Sequence, residues 1–96
     1  MNESKEFARA FMISYKPSLE QTLGELLSSF FDFVLNEGKI KLNNKEELIN
    51  EFTRRYIFLF LMNYPLANTL KDFYDFIKRK EKEANNEESK SNNQNQ

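Results

Sequence analysis

The sequence has no cysteine and no histidine among its 96 residues. Without cysteine there are no disulfides, no thiol nucleophiles and no cysteine zinc sites. Without histidine the chain also lacks the commonest general base and the commonest metal ligand. Only two glycines are present, and they form no glycine-rich phosphate loop. The sequence therefore predicts a protein that is not an enzyme and that has no catalytic, cofactor-binding or metal-binding residues.

Strong charge and long apolar runs are also missing. The formal net charge is −1, so there is no overall field to attract nucleic acid or an anionic membrane. The first residues, MNESKEFARAFMI, lack the apolar core of a signal peptide. The longest apolar run, residues 56–62, is far below the ~20 residues needed to cross a bilayer. We expect a cytoplasmic protein without membrane insertion and with little tendency to bind nucleic acid.

Apolar residues are plentiful, but only in the first part of the chain. The sequence has 10 Phe and 4 Tyr, and no apolar residue follows Ala84. The last residues, NNEESKSNNQNQ, bury nothing that would offset the entropy cost of ordering them. The sequence thus predicts a single helical domain over residues 1–84 and a disordered polar tail over residues 85–96.

The domain is organised around a helix predicted over residues 44–63. Asn44 and Glu47 have the spacing of a capping box, and Pro65 limits the helix at its other end. Helical spacing puts one set of apolar residues on a single stripe: Leu48, Ile49, Phe52, Tyr56, Leu59 and Phe60. The opposite side is polar in the first half and apolar in the second, so the second half requires protein around it. A buried strand is the alternative for residues 56–62, because periodicity alone does not separate the two.

Three further helices are predicted, over residues 4–16, 18–37 and 66–84. Pro17 ends the first of them, and Ser18 with Gln21 has the spacing of a capping box for the second. Gly38 is expected to take the left-handed conformation that closes the second helix. Residues 39–43 alternate apolar and charged, and we interpret them as an extended loop because no second strand is present to pair with them. The predicted fold class is all-α, a small antiparallel bundle of about four helices.

Four amphipathic helices leave some apolar residues unused. If each helix buries one stripe of side chains, most of the apolar residues are buried. The remainder, together with two neighbouring arginines, form a candidate interface: Phe31, Leu35, Arg54, Arg55, Ile57, Phe58, Leu61 and Phe76. Exposing a large apolar side chain forfeits ~1.5–3 kcal/mol of burial, and contiguous exposed apolar patches usually mark an interface. The alternative is a central helix sandwiched on several sides, which would absorb Ile57 and Leu61 into ordinary core.

Arg55 lies at the edge of the core stripe of the central helix, and two roles are open to it. Its stem can pack on apolar surface while its guanidinium reaches solvent beside Glu51, four residues earlier. Alternatively, its planar fork can hold a carboxylate of a partner protein. Only the second role would place Arg55 in an interface.

These features predict a non-enzymatic helical protein that acts by protein–protein interaction, as a homodimer, an adaptor, or an inhibitor or immunity-type binder. The alternative is a DNA-binding transcriptional regulator whose last two helices form a helix-turn-helix. A reading helix presents Arg, Asn or Gln in its N-terminal half, whereas the last helix carries Asp72 and Asp75 there. An aromatic patch around Phe58 would favour the first function. A basic face would favour the second, and its members would be Lys71, Lys78, Arg79 and Lys82.

Overall fold

Four helices make up the part of the chain that the structure, a computed structural model, describes. That part covers residues 3–15, 22–61 and 65–94, with the backbone alone for residues 57–61 and 87–94. The helices are α1 Glu3–Tyr15, α2 Leu23–Asn36, α3 Lys45–Leu61 and α4 Leu66–Gln94. These ranges contain no strand. The predicted all-α bundle is therefore confirmed, and the alternative of a strand is excluded for residues 56–61.

The first helix, α1, runs antiparallel to the last, α4. Glu3 at the start of α1 lies near Lys78 of α4. One turn later Phe7 stacks on Tyr74, with ring centroids 5.5 Å apart. α1 packs mainly on α4, and α3 packs on α2 and α4. The arrangement leaves α3 without a helix of the described chain on its remaining side.

α2 begins at a cap that differs from the predicted one. Thr22 has extended backbone angles, and its hydroxyl accepts a hydrogen bond from the Glu25 N–H at 3.1 Å. The Thr22 N–H donates to the Glu25 carboxylate at 3.0 Å, which completes a capping box. The predicted start at residue 18 is wrong, because the extended backbone at Thr22 separates α2 from whatever precedes it. The predicted pair Ser18 and Gln21 lies outside the described residues.

α2 ends as predicted, at a glycine. Gly38 has a φ of 72°, in the region that L-residues with a Cβ rarely adopt. Its N–H donates to the Leu35 carbonyl at 2.9 Å, and the Lys39 N–H donates to the Val34 carbonyl at 3.3 Å. This pair of bonds is a Schellman motif, which satisfies carbonyls that the helix end would otherwise leave open.

The connection between α2 and α3 is extended, as predicted for residues 39–43. α4 holds it through two hydrogen bonds. The Lys78 ammonium donates to the Lys39 carbonyl at 2.7 Å, and the Lys41 N–H donates to the Glu81 carboxylate at 2.6 Å. Side chains of α4 therefore supply the hydrogen-bond partners that a neighbouring strand would supply in a sheet.

α3 begins where the sequence predicted, with a simpler cap. The Leu48 N–H donates to the Asn44 carbonyl at 3.1 Å, and the Asn44 side-chain amide donates to the Glu47 carboxylate at 2.9 Å. The two side chains thus bond each other, whereas a capping box would have each bond the other's backbone. The predicted end at residue 63 falls on residues 62–64, which lie outside the described chain.

The core is built largely from phenylalanine. Its buried apolar residues come from all four helices and from the connection before α3: Ala8, Phe11, Leu26, Leu27, Phe30, Phe31, Val34, Ile40, Leu48, Ile49, Phe52, Leu70, Phe73, Tyr74, Phe76 and Ile77. Several rings meet edge to face, which aromatic pairs favour. The centroids of Phe11 and Phe30 are 5.3 Å apart, and those of Phe52 and Phe73 are 5.1 Å apart.

Phe31 and Phe76, predicted as part of an interface, are core residues. Each is only 1% exposed. Phe76 lies 5.5 Å from Phe52 between ring centroids, so α4 buries one stripe against α3 and another against α1. α2 likewise contacts α1, α3 and α4. The prediction failed because it allowed one buried stripe per helix, whereas a helix with neighbours on several sides buries more of its circumference.

α4 is longer than predicted. It continues as a helix to Gln94, well past the predicted end at residue 84, and residues 82–86 are exposed. A helix that is already nucleated extends at little cost per residue, and Glu, Lys and Ala are good helix formers. Residues 82–86 therefore continue the helix without packing on the bundle. The disorder predicted for residues 85–96 stays a prediction.

Candidate interaction surface

One side of α3 is not covered by any described helix. The buried side chains of α3 pack in the core shared with α2 and α4, whereas Glu47, Asn50 and Arg54 are exposed. Residues spaced three, four and seven apart lie in one line along a helix. We call the line formed by these three residues the outer face of α3.

The outer face continues toward the C-terminal end of α3. The backbone is helical to Leu61, so periodicity puts positions 57, 58 and 61 on the same side of the helix as Arg54. Every residue from 57 to 61 is apolar. Ile57, Phe58 and Leu61 belong to the predicted interface, and their side chains lie outside the described part of the chain.

Arg55, beside the outer face, takes the intramolecular role that was open to it. Its guanidinium lies 3.3 Å from the Glu51 carboxylate, and its side chain is 59% exposed. Lys80 also holds Glu51, at 2.9 Å. The hydrogen bond from Lys80 lowers the pKa of that carboxyl, and the charges of Lys80 and the two arginines of α3 add to the shift. The Glu51 carboxylate is thus paired with Arg55 and Lys80, while Arg54 acts on it only at longer range.

Leu35 is exposed but belongs to another part of the surface. It lies in the last turn of α2 and is 38% exposed. Nearby, the Lys45 ammonium at the start of α3 lies 3.1 Å from the Asp32 carboxylate. At 1.5 Å per residue, Arg54 is ~13 Å further along α3 than Lys45. The structure therefore does not bring Leu35 together with Arg54 and Arg55.

A groove borders the outer face on its α2 side. It has a volume of about 800 Å³ and is lined by residues of α1, α2 and α3: Tyr15, Gly24, Glu25, Ser28, Ser29, Lys45, Glu46, Ile49 and Asn50. A Cβ atom on Gly24 would meet nothing within 4 Å. The Ser29 hydroxyl donates to the Tyr15 hydroxyl at 3.1 Å. These groups can hydrogen-bond a docked side chain. The sequence did not reveal the groove, because helical spacing puts Tyr15 on the core stripe of α1 and predicts that it is buried. In the structure Tyr15 is 39% exposed and lines the groove.

A second polar feature that the sequence did not reveal joins α1 to α4. Tyr74 is 2% exposed, and within the described chain its hydroxyl has no hydrogen bond of regular geometry. Burial raises the pKa of this hydroxyl, and the adjacent Glu3 carboxylate raises it further. The pKa of Glu3 is lowered by Tyr74 and by Lys39, whose ammonium is 3.6 Å away. The pattern of apolar residues could not show this pair, because it does not separate a buried tyrosine from a phenylalanine.

The side chains that the structure describes include no group of three or more His, Cys, Asp or Glu placed to hold a metal ion. None of the helices, over the same residues, has an apolar stretch long enough to cross a bilayer. No protein-family model, curated protein or solved structure matches the chain. The function is therefore argued from the surface of the molecule.

Proposed function

We propose that the protein is non-enzymatic and acts by binding a protein molecule through the outer face of α3. The observation that best supports this is the change in character along that face. Its exposed residues Glu47, Asn50 and Arg54 are followed on the same side by positions 57, 58 and 61, all apolar. Contiguous apolar groups at a surface mark interfaces, and aromatic residues and arginine are enriched there.

The N-terminal half of α4 supports the alternative, a helix-turn-helix regulator, less well. The Lys71 ammonium lies 3.7 Å from the Asp72 carboxylate and 3.4 Å from that of Asp75. One lysine is thus shared by two carboxylates where a reading helix presents donors to the bases. Farther along α4, Lys78 pairs with Glu81 at 3.4 Å. We therefore favour protein binding.

Phe58→Ser tests the proposal by separating association from folding. The free energy of unfolding of the monomer should change by ~0.5 kcal/mol or less, as for surface changes. Association should fall sharply, because aromatic anchors dominate binding at interfaces. Phe52→Ala, in the core, is the control and should cost about 3–5 kcal/mol of stability. Chemical denaturation at several protein concentrations and light scattering after gel filtration measure the two quantities.

Two outcomes decide the matter. Equal destabilisation of a concentration-independent monomer by the two variants would show that position 58 is ordinary core.

A partner other than a second copy is detected by a photo-cross-linking residue at position 58, introduced in the cell that makes the protein. Ile13, 66% exposed on α1, is the control position. One defined adduct from position 58 alone supports the proposal, and equal adducts from both positions count against it.

A further inference from the structure

We infer that the partner on the outer face of α3 is a second copy of this chain, docked antiparallel about a twofold axis. This inference rests on the proposed function and names its partner. Glu47 and Arg54 are exposed and lie in line, about two helical turns apart, with Asn50 between them. A twofold axis perpendicular to α3, passing midway between positions 50 and 51, puts Glu47 of each copy opposite Arg54 of the other. The outer face is therefore complementary in charge to itself.

Both charges are available for such a contact. The Glu47 carboxylate accepts a hydrogen bond from the neutral Asn44 amide at 2.9 Å. Arg54 attracts the Glu51 carboxylate only at longer range, and that carboxylate is already held by Lys80 and Arg55. Within the described chain neither Glu47 nor Arg54 is engaged in a salt bridge. Dimerisation would therefore break no ion pair of the monomer.

Charge also selects the orientation. In a parallel pair of α3 helices each charged residue would face its own copy, which gives repulsion at both Glu47 and Arg54. In the antiparallel pair both contacts are attractive, and such a difference specifies one arrangement over the other. A shift of the antiparallel pair by one turn would set Glu47 opposite position 50 or position 58 and leave its charge unmatched. The charges therefore fix the register as well as the direction.

This register also gives the apolar end of α3 a surface to cover. With Glu47 opposite Arg54, position 58 of one copy falls opposite Asn43 of the other, and position 57 falls opposite Asn44; both asparagines are exposed. Next to them Leu42 packs against the core and remains partly exposed. The interface would thus combine two charge contacts near the axis with one contact at each end, between the apolar end of α3 and the segment Leu42–Asn44. Each contact occurs twice, which is the isologous pattern of a twofold dimer.

Charge reversal with rescue is the test, read by sedimentation velocity over the widest concentration range that solubility allows. Wild type should show a reversible monomer–dimer equilibrium. Glu47→Arg and Arg54→Glu should each raise the dimer Kd by about tenfold or more, because each makes two attractive contacts repulsive. A mixture of the two variants should form a heterodimer, and the double variant in one chain should dimerise again. The Kd of wild type should also rise with salt.

Two variants of α1 make the same charge changes away from the outer face. Glu6, in the first turn of α1, and Arg9 are exposed, and Glu6→Arg and Arg9→Glu should leave the dimer Kd unchanged. Circular dichroism checks that each variant is folded. If Glu47→Arg is not folded, Arg54→Glu with its Arg9→Glu control still decides the matter.

Three results would contradict the inferred dimer, and each contradicts a different part of it. A chain that stays monomeric at every concentration overturns the dimer, while a defined adduct with another protein from position 58 would leave the proposed function standing. Dimerisation that Phe58→Ser weakens and that charge reversal does not would overturn the register. Equal effects of the α1 and α3 variants would show general charge repulsion and would also overturn it.

Discussion

Tyr74 carries a polar hydroxyl into an aromatic core. Its ring stacks on Phe7, and that contact does not need the hydroxyl. The hydroxyl lies beside the Glu3 carboxylate, and within the described residues it forms no regular hydrogen bond. The hydroxyl nevertheless interacts with that carboxylate, because it lowers the pKa of Glu3. Tyr74→Phe would keep the ring contact and remove only the hydroxyl.

Tyr74→Phe should change the alkaline limit of stability. The pKa of Tyr74 is raised in the folded protein, whereas an unfolded tyrosine titrates near ~10. The stability associated with the protonated hydroxyl is thus present below pH ~10 and is lost as the pH rises toward the folded pKa, because the unfolded chain releases the proton more easily. We expect wild type to lose stability above pH ~10 more steeply than Tyr74→Phe.

Urea denaturation at a series of pH values measures this difference. Tyr15→Phe, which removes a hydroxyl at the surface, is the control and should follow wild type. Parallel stability curves for Tyr74→Phe and Tyr15→Phe would contradict the prediction.

At the scale of the helices, boundaries were predictable where one local signal stood alone. Gly38 is the only glycine near the end of α2, and it was placed correctly. The start of α2 was not, because Ser18 with Gln21 and Thr22 with Glu25 have the same capping spacing, and local sequence does not choose between them. Burial was harder to predict than helix boundaries, because the burial of a residue depends on how many other helices surround its own helix.

The same limit applies to the candidate site. Helical periodicity placed Arg54 on the side opposite the core stripe of α3 and Arg55 at the edge of that stripe, and both are exposed. It misplaced Phe31 and Phe76, because contacts of α2 with α4 and of α4 with α3 are made between residues far apart in sequence. Such contacts leave no periodic trace in the sequence of either helix.

Removal of residues 85–96 should leave the melting temperature essentially unchanged. Residues 82–86 are exposed and no apolar residue is lost, so the truncated chain keeps its whole core. The helical signal in circular dichroism should fall, because the end of α4 is lost. A change of 1 kcal/mol shifts the melting temperature by about 4–8 °C in a domain of this size, so a fall of that order would show that the tail docks.

At the scale of the whole molecule, ion pairs within the bundle hold several of the lysines. Lys45, Lys71, Lys78 and Lys80 all have carboxylate partners, and the formal net charge is −1. The charge of these four lysines is thus already matched within the bundle, and contacts of cations with phosphates are what give DNA binding its affinity and its salt dependence.

We therefore expect negligible binding to generic duplex DNA at physiological salt. Fluorescence anisotropy of a labelled duplex, titrated with the protein at several salt concentrations, measures this. Sub-micromolar affinity whose logarithm falls steeply with the logarithm of the salt concentration would contradict the prediction and revive the helix-turn-helix alternative.

The attachment of the α2–α3 connection to α4 also bears on the order of folding. Its two hydrogen bonds join residues 39 and 40 positions apart in the chain, and long-range contacts form only after the intervening loop has closed. α2 needs no such contact, because its capping box and its Schellman motif are both local. We therefore expect α2 to form early in folding, whereas residues 39–43 become ordered only after α4 has packed beside them. In unfolding, the same residues should lose their order first, as soon as α4 detaches.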